Sequence, residues 1–158
     1  LLLTAILFTS CSNTKPEADS ITRMTVDINP SVEFMIDDQN KIVSVTALND
    51  DGSILIVGEA FVGKTPEEAV EMMVRLASDT GYLVQGNVEA SENTVKISIS
   101  GDSKYAEQLK KDITEKANDT LKALDIKGKV EKVEAKAKTV TPKAEVKTEN
   151  VAFLCQRY

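Results

Sequence analysis

Asn29-Pro30-Ser31, with Asp27 just before it and Glu33 just after, is where this 158-residue chain comes nearest to covalent chemistry. Pro30 carries no N–H, so the ordinary route of asparagine ageing, attack by the following backbone nitrogen, is closed at Asn29. Two routes to breaking the Asn29–Pro30 bond stay open. The Asn29 side-chain nitrogen can attack its own main-chain carbonyl, forming a succinimide and expelling the Pro30 nitrogen. Alternatively a water can attack, assisted by the carboxylate of Asp27 or Glu33. Both routes need a peptide bond strained from planarity, because a twisted amide loses resonance and becomes a better electrophile. Ser31 is a candidate hydrogen-bond donor to the developing oxyanion. On residue types alone, Asn-Pro-Ser is equally a good turn sequence between two strands.

Other chemistries are closed off by what the chain lacks or by what surrounds the motif. There is no His, which removes His-based triads and most zinc sites. The two cysteines, Cys11 and Cys155, stand at opposite ends of the chain and suggest neither a disulfide framework nor a metal site. Gly58-Glu59-Ala60-Phe61-Val62-Gly63-Lys64-Thr65 has the spacing of a phosphate-binding P-loop. Phe61 and Val62 are bulky where a backbone must curl round phosphates, Glu59 would repel them, and nothing resembles a second, magnesium-holding Asp. Nucleotide binding through Lys64 and Thr65 is therefore rejected. Asp37-Asp38 and Asn49-Asp50-Asp51 read as solvated turns, since the Glu that closes an EF-hand calcium loop is missing. No cofactor is expected.

The formal net charge is −6, which disfavours nucleic acid as a partner because phosphate binding needs a cationic face. Apolar residues are 42% of the chain but aromatics only 4%, with no Trp, so the core must be aliphatic. Leu1–Phe8 is an apolar run far short of the ~20 residues that span a bilayer, and reads as the end of a signal peptide whose start is missing. Leu7-Phe8-Thr9-Ser10-Cys11 looks like a bacterial lipobox, Phe8 standing where Leu is commoner, with Cys11 as the lipidated residue. A truncated transmembrane helix ending at a Cys is the plainer alternative. A polar tether follows over residues 12–21, then a folded domain over 22–134 and a Lys-, Glu- and Ala-rich solvated tail over 135–158.

The elements that must position Asn29 follow from periodicity. Met24, Val26 and Ile28 alternate with polar residues, as do Val32, Phe34 and Ile36 on the other side of Asn29-Pro30-Ser31, which predicts two strands and a turn. Ile42–Leu48 predicts a third strand, Asn49–Gly52 a turn, and Ile54–Val57 a fourth, short strand. Thr65-Pro66-Glu67-Glu68 opens a helix with a capping box and Pro at its first position; Ala69, Val70, Met73, Leu76 and Ala77 form its apolar stripe, and Gly81 ends it. Val95, Ile97 and Ile99 predict a strand. A helix follows from about Ser103 to Leu124, striped by Tyr105, Leu109, Ile113, Ala117, Leu121 and Leu124, with a last strand near Val130 and Val133. That order predicts an α+β fold, two helices packed on one face of a small, mostly antiparallel sheet.

Val26-Asp27-Ile28-Asn29-Pro30-Ser31-Val32-Glu33-Phe34, followed by Ile42–Gly52 and then Gly63–Ala69, resembles the extracytoplasmic domain of RsgI-like anti-sigma factors. The likeness is close over residues 21–82 and looser beyond. It implies a domain outside the membrane that relays a signal inward, and a single self-cleavage, here between Asn29 and Pro30, rather than a multiple-turnover enzyme. The sequence departs from the family pattern in showing neither a sigma-binding domain nor a full transmembrane helix; with Cys11 read as a lipidation site, the expectation is a stand-alone relative of the sensing domain. The partners expected are the membrane, through a lipid on Cys11, and an extracytoplasmic protein or cell-envelope ligand. A passive lipoprotein binding module that is never cut is the alternative.

Overall fold

Residues 21–86, 89–101 and 106–134 are described by a computed structural model. Among them the chain runs β1 (Thr22–Asp27), β2 (Ser31–Ile36), β3 (Ile42–Ala47), α1 (Asp50–Ile56), α2 (Pro66–Asp79), β4 (Thr94–Ser100), α3 (Ala106–Ala123) and β5 (Lys129–Lys132). The strands form one sheet in the order β3-β2-β1-β4-β5. Every pairing is antiparallel except β4 with β5. The α+β class expected from the order of elements is the class observed.

The period-2 pattern explains why β1 lies in the middle. Met24 and Val26 are fully buried, while Arg23, Thr25 and Asp27 between them point to the half-open face. Phe34 lies opposite Met24 on β2 and Ile99 opposite it on β4, so one face of three adjacent strands is continuously apolar. Helix α2 covers it with Ala69, Val70, Met73, Val74 and Ala77, and α3 with Leu109, Ile113, Ala117 and Leu121. Burying Met24, Val26 and Ile28 alone is worth roughly 1.5–3 kcal/mol for each side chain, before the hydrogen bonds that β1 makes on both edges. Phe34 packs against Phe61 with ring centroids 5.3 Å apart, the one aromatic pair among the described residues, in the core beneath β2.

Helix α2 starts as its sequence dictates. The Thr65 hydroxyl accepts from the Glu68 N–H, and the Glu68 carboxylate accepts from the Thr65 N–H at 2.8 Å. Gly81 follows the helix at φ +84°, a conformation costly for any residue with a Cβ.

The short apolar run Ile54–Val57 is not a fourth strand, and Asn49–Gly52 is not a free turn. They form α1 together. Asn49 caps the helix by accepting the Gly52 N–H at 2.8 Å, and Asp50 and Asp51 place negative charge in its first turn. A run of consecutive apolar residues does not itself distinguish strand from helix, and here the cap decides. Only Leu55 of the run is buried; Ile54 is 69% exposed. On the second long helix, Ser103 and Tyr105 lie outside the described residues, as do the expected leader, the tether to residue 20 and the tail from 135.

Two polar devices tie the layers together. Asn93 is 1% exposed, and its carboxamide accepts the Val84 N–H and donates to the carbonyls of Val84 and Lys127, at 2.8 to 2.9 Å. It thereby joins the loop after α2, the start of β4 and the approach to β5. Glu71 on α2 meets Arg75 one turn along and Lys116 on α3 at 3.1 Å. The Arg75 guanidinium first, and the Lys116 ammonium second, hold the Glu71 carboxyl below the usual carboxylate range.

Replacing Asn93 by Ala removes its hydrogen bonds to three backbone groups, of Val84 and Lys127, and should lower unfolding free energy by about 1–3 kcal/mol in a urea titration. Because the folded pKa of Glu71 is depressed, its contribution is present above the unfolded value of 4.5 and lost as pH falls through the lower folded value. Comparing Glu71→Gln with the wild-type chain should show a difference of no more than about 1 kcal/mol at pH 7 that fades in acid. A difference that grew on acidification would contradict the assignment.

Candidate functional site

Three residues, Ile28, Asn29 and Pro30, join β1 to β2, whose last and first residues Asp27 and Ser31 are register partners. The link is short because Ile28 still reaches into the core, at 8% exposure, and Pro30 is buried as well. Asn29 between them is exposed and takes φ +58°, the left-handed region. Asn tolerates this region better than other residues with a Cβ, yet a residue before Pro is restricted to extended conformations. The two preferences conflict at one residue.

Hydrogen bonds fix the link from every side. The Ile28 N–H donates to the Pro30 carbonyl at 2.8 Å. The Asn29 N–H donates to Asp27 Oδ1 at 3.1 Å, which brings that carboxylate to the residue whose bond is in question. The Ser31 N–H donates to Asn49 Oδ1 at 3.0 Å, and the Ser31 carbonyl accepts the Leu48 N–H at 2.8 Å. With its N–H engaged by Asn49, Ser31 retains its hydroxyl as the group able to serve an oxyanion.

The candidate residues therefore divide. Asn29, Pro30, Ser31 and Asp27 come together in one hairpin. Glu33 sits one register pair further along the half-open face, opposite Thr25, where it meets Arg23 at 3.4 Å. Across the base of the hairpin, Asp27 has Lys96 of β4 as its cross-strand neighbour, and Lys96 has Glu131 of β5. Lys129 completes this alternating row; its ammonium, 2.7 Å from Glu131, keeps that carboxyl below the ordinary range. Opposite charges side by side support strand pairing at the hairpin base. Cys11, the candidate lipidation site, lies outside the described residues.

The segment spaced like a P-loop is built for something else. Helix α1, not a strand, precedes it. Phe61 is a core residue, the Gly63 N–H donates to the Ile42 carbonyl, and the Ile42 N–H donates to the Lys64 carbonyl. Its backbone thus extends the edge of β3, and Thr65 caps α2. The acidic turns are likewise occupied: Asp37 accepts the N–H groups of Gln39 and Lys41, and Asp51 accepts the Tyr82 hydroxyl. Asn49 was not foreseen as part of the site. A capping residue before two acidic ones is a legible helix start, but its bond to Ser31, 18 residues back, has no local signal.

Comparison with known proteins agrees with this geometry. The family model described as the anti-sigma factor RsgI-like central domain matches residues 21–154. Anti-sigma-I factor RsgI7 of Acetivibrio thermocellus is 31% identical over 99 residues, covering 62% of this chain and 17% of that protein. Anti-sigma-I factor RsgI6 of the same organism is 35% identical over 82 residues, covering 52% of this chain and 10% of that protein. The chain thus spans less than a fifth of either relative. Among the described residues no helix is long and apolar enough to cross a membrane. A match over most of the chain, on a sheet whose first hairpin carries the Asn-Pro-Ser segment, makes this chain a member of the family of anti-sigma factor RsgI-like central domains.

Proposed function

We propose that the chain is an extracytoplasmic signalling domain, tethered to the membrane by a lipid on Cys11, that cleaves itself once between Asn29 and Pro30 and keeps both pieces in one sheet. The observation that carries this reading is the hairpin: Asn29 held at φ +58° directly before a buried Pro30, on a strand bonded along both edges.

In the succinimide route the Asn29 side-chain nitrogen attacks the Asn29 carbonyl carbon. Its proton passes to a base, for which the Asp27 carboxylate is the nearest candidate. The carbonyl oxygen carries the developing charge toward the Ser31 hydroxyl. The C–N bond to Pro30 then breaks, and Pro30 leaves as a protonated secondary amine. Water later opens the succinimide. In the hydrolytic route Asp27 instead orients and deprotonates a water; Glu33, turned toward Arg23, is less well placed for this. Holding a non-glycine residue in the left-handed region costs roughly 1–2 kcal/mol, which accounts for only about a tenfold acceleration. Positioning of the attacking group must supply the larger part.

Relatives named anti-sigma-I factors support a regulatory role rather than turnover of a substrate. The partner is then an extracytoplasmic protein or cell-envelope ligand that loads or displaces β1. The half-open face of the sheet, with its alternating charges, has no cationic excess that would favour nucleic acid. A passive module with an uncut hairpin is the alternative, and Asn's tolerance of positive φ is the feature that favours it.

Mass spectrometry of protein purified from a bacterial envelope reads both ends of the proposal. The expected result is a lipidated Cys11 at the mature N-terminus and a second N-terminus at Pro30, with two bands on denaturing electrophoresis. Asn29→Ala should give one band and the same fold, with about 1 kcal/mol lost in stability because Ala tolerates the positive φ less well than Asn. A single intact wild-type band would remove the cleavage, and an unlipidated N-terminus upstream of Cys11 would remove the anchor.

A further inference from the structure

The capping residue of α1 is hydrogen-bonded to the hairpin through its carboxamide. Asn49 Oδ1 accepts two main-chain N–H groups at once, from Gly52 inside α1 at 2.8 Å and from Ser31 just past Pro30 at 3.0 Å. The same residue therefore caps the helix and grips the segment on the leaving side of the Asn29–Pro30 bond. Two further contacts reinforce the grip. The Leu48 N–H donates to the Ser31 carbonyl at 2.8 Å. The α carbon of Gly52 presses so closely on that carbonyl that a Cβ added there would lie 2.3 Å from its oxygen. Ser31 thus has both its N–H and its C=O committed to residues 48–52, and Gly52 is the one residue type that lets α1 approach this far.

We propose that Asn49 and Gly52 are positioning residues for cleavage of the Asn29–Pro30 bond, acting by fixing the Pro30–Ser31 peptide while Asn29 reacts. This rests on the self-cleavage reading. The physical reason is the geometry of an intramolecular attack. The Asn29 side chain closes on its own carbonyl only if the departing proline does not swing with it. The Asn29 side is held by β1 and by Asp27. On the Pro30 side the Pro30 carbonyl accepts the Ile28 N–H from within the link, and Asn49 is the hold from outside the hairpin, where the β1–β2 pairing begins only at Ser31. A misplacement of about 1 Å in such an arrangement costs up to about a hundredfold in rate. Because the gripping atom is also the helix cap, anything that frays α1 also loosens the reacting bond, and the site is coupled to that helix.

Three variants of the full chain separate positioning from stability. Cleavage is followed by pulse labelling during in vitro translation and denaturing electrophoresis, and thermal unfolding is measured separately in the uncut Asn29→Ala background. Asn49→Asp keeps an acceptor oxygen at the same reach and should cleave within about threefold of wild type, whereas Asn49→Ala and Gly52→Ala should slow cleavage at least about tenfold at temperatures where each is fully folded. If Asn49→Ala lowers the unfolding temperature but cleaves at the wild-type rate while folded, Asn49 is a helix cap only and the inference is overturned. If the wild-type chain itself stays uncut, the cleavage reading fails, and the inference fails with it. The two failures are distinguished by the wild-type lane.

Discussion

The middle position of β1 is the constraint on which the rest of the structure depends. Its residues Arg23–Asp27 are register partners of β2 on one edge and of β4 on the other, and Met24 and Val26 are fully buried beneath α2 and α3. A strand at the rim of a sheet can leave by breaking one row of hydrogen bonds. A central strand must break two and open the apolar layer as well. On the proposed reading, these two rows of hydrogen bonds and the buried face hold β1 once the Asn29–Pro30 bond is cut, and a pull on β1 then meets the resistance of the core. This combination suits a domain that must stay assembled until something acts on it from outside.

The hairpin at the end of β1 is fixed from more directions than a turn requires. Buried Ile28 and Pro30 bracket exposed Asn29, so the link has no slack in which to relax its positive φ. Asp27 holds the Asn29 N–H, and Asn49 holds the Ser31 N–H. Strain of one or two kcal/mol is small beside the barrier to breaking a peptide bond, whereas orientation of a neighbouring nucleophile is worth several times more. The density of hydrogen bonds around Asn29 therefore counts for more in the chemical argument than the dihedral angle alone.

Much of this was legible in the sequence where a local signal and the tertiary outcome coincide. Alternation on either side of Asn29-Pro30-Ser31 located β1, β2 and their turn, and Thr65 to Glu68 located the start of α2. Ile54–Val57 misled because a short apolar run has no alternation to read, and the cap at Asn49 that decides for helix lies outside it. The role of Asn93 was illegible: a buried carboxamide joining residues 84, 93 and 127 is a product of the topology. The same holds for Asn49, whose two hydrogen bonds lie on opposite sides of β2 and β3 in the chain, and for Gly52, which reads as a turn glycine until the Ser31 carbonyl is seen against it.

Amide hydrogen exchange, resolved along β1 in the wild-type chain and in Asn29→Ala, tests the central claim most directly. If the sheet and not the peptide link holds β1, the amides of Met24 and Val26 exchange only through global unfolding, as slowly as Ile97 of β4, and with the same protection whether or not the Asn29–Pro30 bond is intact. Rapid exchange along β1 in the wild-type chain while β4 stays protected would contradict it, since the first strand would then depend on its covalent connection after all.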